Sequence, residues 1–143
     1  TCSLPPKYLI IYFLLTVSRI SHTRGGSQMK IYTIKQVKEA LHQSWSFNSS
    51  SKWSPINPAK GQCGVTALVV HDLLGGEIKK TNLTNGWHYY NYINEKRYDF
   101  TESQFKEAII YLDIQSNRNE AFSDTNDSQY NYLESTVLAY LNT

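Results

Sequence analysis

Cysteine is almost absent from this chain of 143 residues, which contains only Cys2 and Cys63. Because Cys63 is the only cysteine from Met29 to the C-terminus, that part of the chain cannot form an intrachain disulfide. Disulfides belong mainly to oxidising compartments, so their absence favours a reducing one. We therefore expect a cytoplasmic protein in which Cys63 is a free thiol.

An excess of charge of one sign is also missing. The sequence holds 14 basic and 12 acidic residues, and the basic residues among the first 28 have no acidic counterpart there. The remainder of the chain is nearly neutral and has neither a basic face for nucleic acid nor a polybasic patch for a membrane surface. We therefore expect no nucleic-acid partner and no membrane partner.

Motifs for cofactors and metals are lacking as well. The glycine pairs at 25–26 and 75–76 do not have the spacing of phosphate-binding or dinucleotide-binding loops. Cys63, His71 and His88 lack the paired short spacing of zinc sites. The sequence predicts no cofactor and no bound metal.

The first 28 residues differ from the rest. Their apolar run, residues 8–17, is shorter than the roughly 20 residues of a membrane-spanning helix. Arg24-Gly25-Gly26 shortly before Met29, the only methionine, has the form of a translated ribosome-binding site. We expect residues 1–28 to be non-native upstream sequence, with a targeting segment, and hence secretion, as the alternative. Residues 29–143 would form a single domain.

Four segments have the apolar spacing of helices. Two of them follow capping-box patterns, at residues 33–36 and 101–104. The segment that begins at Cys63 is apolar on most sides and ends at a glycine pair, which predicts a central, buried helix. The predicted helices are residues 34–45, 63–74, 105–112 and 130–141.

Three short segments after the central helix are typical of strands: residues 77–81, 87–94 and 97–100. Asn94-Glu95 predicts a tight hairpin connection between the last two. The stretches 46–60 and 116–128 are predicted as loops, the second of them mobile. Together these elements predict an α+β domain in which the central helix packs on a small antiparallel sheet.

Three residues suggest a nucleophilic triad. Cys63, flanked by Gly61 and Gly64, stands at the start of the central helix, where the helix dipole and free backbone N–H groups favour a thiolate. His88 could take the thiol proton, and Asp99 could hold the imidazole in the right tautomer. If they converge, we expect a thiol of low pKa. The alternative is that Cys63 is a buried, unreactive core residue.

Hairpin geometry favours contact between His88 and Asp99. A turn at Asn94-Glu95 sets Asp99 opposite Tyr90. Because alternate residues of a strand share a face, Tyr90 and His88 lie on the same side. Asp99 is then a diagonal cross-strand neighbour of His88, provided that the register holds.

Acyl chemistry also needs a hydrogen-bond donor for the oxyanion. The candidates are the backbone N–H of Cys63 and the side chains of Gln62 and Asn57, among which the sequence does not decide. Trp53 and Trp87 are candidates for the walls of a cleft. Core packing is the alternative for both tryptophans.

Several motifs in the middle of the chain carry a family likeness. They are Trp53-Ser54-Pro55, Asn57-Pro58-Ala59, Gly61-Gln62-Cys63-Gly64-Val65-Thr66-Ala67, Gly75-Gly76-Glu77-Ile78, His88-Tyr89-Tyr90-Asn91 and Asp99-Phe100-Thr101. Together they resemble the YunG family of bacterial proteins, over roughly half of the chain. The Gly-Gln-Cys block and the His-Tyr-Tyr-Asn segment are the most specific of them.

The order of cysteine, histidine and aspartate in that family is similar to the order in transglutaminase-like members of the papain-like superfamily. The resemblance implies a papain-like or transglutaminase-like fold with Cys63 as nucleophile, His88 as general base and Asp99 as the residue that orients it. It also implies cysteine-dependent hydrolysis of an amide, or acyl transfer, on a peptide or amide substrate that the sequence does not identify.

A non-catalytic protein-interaction domain on the same scaffold is the alternative function. In that case Trp53, Trp87, Tyr89 and Tyr90 would form an aromatic recognition surface, and Cys63 would belong to the core. The two functions differ in what they predict for Cys63, which is reactive in the first and inert in the second.

Overall fold

The computed structural model describes residues 30–143, so the predicted upstream or targeting segment, residues 1–28, lies outside the described residues. The described chain contains four α-helices: α1 (Ile34–Ser44), α2 (Cys63–Leu74), α3 (Arg118–Phe122) and α4 (Asp127–Leu141). Its strands are β1 (Glu77–Leu83), β2 (Gly86–Ile93), β3 (Lys96–Tyr98) and β4 (Ile114–Gln115). The predicted α+β class is confirmed.

The four strands form one antiparallel sheet in the order β3-β2-β1-β4. The connection between β2 and β3 is Asn94-Glu95, with φ of 53° and 63°, as a tight hairpin of the primed type requires. Asn91 pairs with Tyr98, which is the predicted register. Pairing stops at Tyr98, so Asp99 follows the end of β3 at this edge of the sheet.

Strand β2 gives the sheet two different faces. Tyr89 is buried in a cluster with Ala67 of α2, and the Asn91 side-chain amide donates to the carbonyl oxygen of Ala67 at 3.1 Å. Because side chains alternate along a strand, His88 projects to the opposite face. The segment 105–113 lies over that second face and contributes the aromatic and polar contacts of the site.

The main core lies between α1, α2 and α4. Its fully buried side chains include Val37 and Leu41 of α1, Val69 of α2, and Leu133 and Val137 of α4. The predicted central position of α2 is therefore confirmed. No helix within residues 30–143 has both the length and the apolar character needed to cross a membrane.

The ends of the first two helices follow local sequence signals. Thr33 Oγ1 accepts from the backbone N–H of Gln36 at 3.0 Å, and Gln36 Oε1 accepts from the N–H of Thr33 at 2.8 Å, which completes the predicted capping box. Helix α2 begins at Cys63, as predicted, and is capped by Gly75 with φ of 74°. Glycine adopts this left-handed conformation without a steric penalty.

The predicted helix over residues 105–112 is wrong. Only one 3₁₀ turn, Glu102–Gln104, is present here. The Thr101 hydroxyl does not cap a helix, because it donates to Asp99 Oδ1 at 3.2 Å and accepts from the side-chain amide of Gln104 at 3.1 Å. Phe105 is then extended, with φ of −99° and ψ of 135°, and the chain continues in irregular form to β4.

The loop predicted over residues 116–128 is also wrong in part, since it contains α3 and the start of α4. The side chain of Asn117 accepts from the N–H of Glu120 at 2.9 Å, and that of Asn126 accepts from the N–H of Gln129 at 2.8 Å. The asparagines that suggested a loop are therefore helix N-caps.

Candidate active site

A buried hydrogen bond joins His88 to Asp99. Nε2 of His88 lies 2.7 Å from Oδ2 of Asp99, and the side chain of each residue is only 3% exposed. His88 projects from β2, and Asp99 directly follows β3, so the hairpin brings them together as its register predicts. A carboxylate accepts hydrogen bonds, so Nε2 is the ring nitrogen that donates to Asp99, and Nδ1 is the ring nitrogen that this bond leaves free.

Asp99 is held at both oxygens. Oδ1 accepts from the backbone N–H of Thr101 at 3.1 Å and from its hydroxyl at 3.2 Å. Oδ2 accepts from the phenol of Tyr111 at 2.7 Å, in addition to its bond with His88. The carboxylate therefore has a fixed position, and through it the imidazole does too.

Aromatic rings surround the imidazole. Phe105 packs edge-on to His88 with a centroid separation of 4.9 Å, and Tyr90 stacks at 5.9 Å. Both rings restrict the access of water to the His88–Asp99 pair. The sheet histidine is therefore oriented by its carboxylate partner and enclosed by its neighbours.

Cys63 lies where the start of α2 meets strand β2. It is the first residue of the helix and is half-buried. The backbone N–H of Tyr89, the residue after His88, lies near the sulfur and favours its thiolate. The thiol itself donates to Asp124 Oδ2 at 3.4 Å. Within residues 30–143 the hydrogen bond of the thiol thus goes to Asp124 and not to His88.

The side chain of Asp124 lies at the N-terminus of α2. The same oxygen that binds the thiol accepts from the backbone N–H of Gly64 at 3.2 Å, whereas the N-cap residue, Gln62, makes no side-chain capping bond. Burial raises the pKa of the Cys63 thiol, and the negative charge of Asp124 raises it further. The expectation of a thiol with a low pKa is wrong for this arrangement, because a carboxylate already compensates the positive end of the helix.

The two side chains proposed for the oxyanion lie in different surroundings. The Asn57 amide donates to the carbonyl oxygen of Gln104 at 3.2 Å, which ties the preceding loop to the 3₁₀ turn. Gln62 is completely buried, and neither its Nε2 nor its Oε1 has a hydrogen-bond partner among the described residues. The backbone N–H of Cys63, at the first turn of α2, and the unpartnered amide of Gln62 both remain candidates.

The aromatic candidates lie in different environments. Trp53 packs against the main core, and Trp87 is 44% exposed with the Lys80 ammonium 4.1 Å from its ring centroid. Tyr89 and Tyr90 are 5% and 1% exposed. These four side chains therefore do not form the aromatic recognition surface of the alternative function, because two of them are buried and one belongs to the core.

Two residues of the site, Asp124 and Tyr111, were not predicted from the sequence. Asp124 lies in a polar stretch that resembles a loop, and Tyr111 lies in a segment whose apolar spacing resembles a helix. Within the predicted loop, Asp124 gave no signal of its contact with Cys63, which is 61 positions away in the chain. Among residues 30–143 no three His, Cys, Asp or Glu side chains form a group that could hold a metal ion.

Comparisons with known proteins agree with the motif-based resemblance. Residues 33–142 match the family model described as YunG protein. The chain is 50% identical over 109 residues to the uncharacterised protein YunG of Bacillus subtilis (strain 168), an alignment that covers 76% of this chain and 95% of the relative. No solved structure matches the chain. The chain therefore belongs to the YunG family.

Proposed function

We propose that this protein is a cysteine-dependent amide hydrolase or acyltransferase with Cys63 as nucleophile, His88 as general base and Asp99 as the positioning residue. The observation that carries the proposal is the buried 2.7 Å hydrogen bond between Asp99 and His88, whose strand passes near the Cys63 sulfur. A carboxylate–imidazole pair fixed in this way leaves Nδ1 as the proton acceptor, which is the function that a general base requires.

The proposed fold relationship is to papain-like and transglutaminase-like enzymes. Its support is the order of the elements: a cysteine at the first residue of a central helix, then a histidine on one strand and an aspartate at the end of the next antiparallel strand. A fold does not determine a reaction by itself. The proposal therefore depends on the chemistry of the three side chains.

The proposed reaction has two steps. Nδ1 of His88 takes the Cys63 proton while the sulfur attacks the carbonyl carbon of an amide, and the backbone N–H of Cys63 donates to the oxyanion. The C–N bond then breaks, the amine leaves with the proton from the imidazolium, and a thioester remains on Cys63. Water or a second amine attacks the thioester, gives its proton to His88 and releases the thiol, which yields an acid or a new amide.

The reacting arrangement requires a change of hydrogen-bond partner at Cys63. The thiol must exchange Asp124 for His88 before the proton can move, since its hydrogen bond now goes to the carboxylate. Strand β2 brings Tyr89, the neighbour of His88, close to the sulfur.

The test uses p-nitrophenyl acetate as a general acyl donor for the full chain in a Cys2→Ser background. We expect repeated release of p-nitrophenol, no release above background for Cys63→Ala, and a decrease of about 10²-fold or more for His88→Ala. The decrease follows from the loss of the proton acceptor.

His42→Ala is the matched control, since His42 is an exposed imidazole on α1 that packs against Trp45. It should retain the wild-type rate. Equal rates for wild type and Cys63→Ala would refute the proposed nucleophile and favour the non-catalytic interaction domain. An unchanged rate in His88→Ala would refute the proposed base.

A further inference from the structure

Two negative charges act on Cys63. Asp124 is in direct contact with the thiol, and Asp99 acts on it from the His88 side. Both residues raise the pKa of Cys63. A nucleophile in such surroundings is less reactive, and a positive charge placed nearby raises its reactivity.

Basic residues near the site do not neutralise Asp124 by contact. Lys52 acts on Asp124 electrostatically, but it is exposed and forms no ion pair with Asp124 within residues 30–143. The ammonium of Lys80 is paired with Glu120 at 3.0 Å. The carboxylate beside the sulfur therefore lacks a cationic partner in this part of the chain.

One oxygen of Asp124 remains available. Oδ2 accepts both the thiol and the N–H of Gly64, whereas Oδ1 makes no hydrogen bond to any residue in the range 30–143. Asp124 is also exposed to solvent. A ligand in solution can therefore reach the carboxylate at the same place where it would reach the sulfur.

We propose that Asp124 makes the site specific for substrates that carry an alkylammonium or guanidinium group next to the reacting carbonyl. This inference rests on the proposed cysteine chemistry of Cys63. A cation bound at Oδ1 weakens the hydrogen bond between the thiol and Asp124. A cationic substrate therefore binds at the site and also frees Cys63 to react. A neutral or anionic substrate does not weaken this contact and reacts more slowly.

The proposed specificity accounts for the position of Asp124, which is distant in sequence from α2 but lies at the start of that helix. A helix N-terminus is ordinarily capped by its own N-cap side chain, but Gln62 makes no such bond here. Asp124, which follows α3, supplies the carboxylate instead and places a charge in the accessible part of the site. A side chain that only capped the helix would not need to contact the Cys63 sulfur.

The test compares two thiol reagents of similar size and opposite charge, (2-aminoethyl) methanethiosulfonate and (2-sulfonatoethyl) methanethiosulfonate. In each reaction the Cys63 sulfur forms an S–S bond, methanesulfinate leaves with the bonding electrons, and the thiol proton passes to solvent. The full chain is used in a Cys2→Ser background. The ratio of the two rates is divided by the ratio for N-acetylcysteine methyl ester.

We expect the cationic reagent to be favoured about 10-fold over the free-thiol ratio, because a carboxylate lies within a few ångströms of the sulfur. Asp124→Asn should bring the ratio down to that of the free thiol while the absolute rates increase. Glu39→Gln, which makes the same charge change on the exposed face of α1, should leave the ratio unchanged. Dividing by the ratio of the free thiol cancels the intrinsic difference between the two reagents.

A second measurement needs no variant. Butylammonium chloride should accelerate the reaction of wild-type Cys63 with neutral methyl methanethiosulfonate, relative to sodium chloride at equal ionic strength. A wild-type ratio equal to that of the free thiol, or no acceleration by butylammonium, overturns the inference. Neither result affects the proposed function, which is tested separately by His88-dependent turnover of p-nitrophenyl acetate.

Discussion

At the scale of single residues, the main contrast is between the two hydrogen bonds of the site. The His88–Asp99 bond could be predicted, because a two-residue turn and the alternation of side chains fix both positions within one hairpin. The Cys63–Asp124 bond could not, because it joins elements far apart in sequence. Local geometry is encoded in spacing, whereas a long-range contact depends on how whole elements pack.

Tyr111 provides a prediction at this scale. Tyr111→Phe removes the phenol that donates to Asp99 Oδ2 at 2.7 Å. We expect the free energy of unfolding to fall by about 1.5 to 3 kcal/mol, the range for hydrogen bonds to charged groups. The p-nitrophenyl acetate rate should fall as well, because Asp99 is then held less firmly behind His88. Urea unfolding and the esterase assay measure the two effects.

Tyr92→Phe is the matched control. The phenol of Tyr92 donates to Asp113 Oδ2 at 3.3 Å and makes no contact with Asp99. This variant should lose less stability and keep its esterase rate. If both variants lost the same activity, Tyr111 would have no specific effect on Asp99.

At the scale of elements, the sequence predicted α1, α2, the β2–β3 hairpin and α4, but not the path of residues 105–113. That segment has helical apolar spacing, yet tertiary contacts determine its conformation. Tyr111 binds Asp99, and Asp113 accepts two hydrogen bonds from Arg97, at 3.0 and 2.9 Å. A helix would bury fewer of these polar groups against the sheet, so pattern alone gives the wrong element.

The connection between α2 and β1 gives a prediction for an element. Gly76 has φ of +80°, and a Cβ added there would lie 2.2 Å from the carbonyl oxygen of Tyr92. Gly76→Ala should therefore lower the free energy of unfolding by at least about 2 kcal/mol, because both backbone strain and a steric clash are introduced. Thermal or urea unfolding measures this loss.

Gly86→Ala separates the two causes. Gly86 has φ of +124°, but nothing lies within 4 Å of the position that its Cβ would take. This variant introduces strain without a clash and should cost less than Gly76→Ala. If Gly86→Ala lowered the free energy of unfolding more than Gly76→Ala, the clash between a Cβ at residue 76 and the Tyr92 carbonyl oxygen would not be the main cause of the loss.

At the scale of the whole molecule, α2 determines the position of the site. It packs into the main core against α1 and α4, and its first residue reaches the edge of β2. Apolar content on most sides of residues 63–74 was enough to predict a central helix. It was not enough to predict Asp124 at the N-terminus of that helix, because the packing of α3 on α2 has no local signature.

The pH dependence of Cys63 alkylation by iodoacetamide, in the full chain with Cys2→Ser, tests the central claim most directly. Because the pKa of the thiol is raised, the thiolate fraction and hence the rate should increase with pH throughout the neutral range. At neutral pH, His88→Ala and Asp99→Asn should each slow the reaction at least about 10-fold, because the proton acceptor is lost or no longer oriented. Profiles of both variants that coincide with that of the wild type would contradict the account, since Cys63 would then react without help from the His88–Asp99 pair.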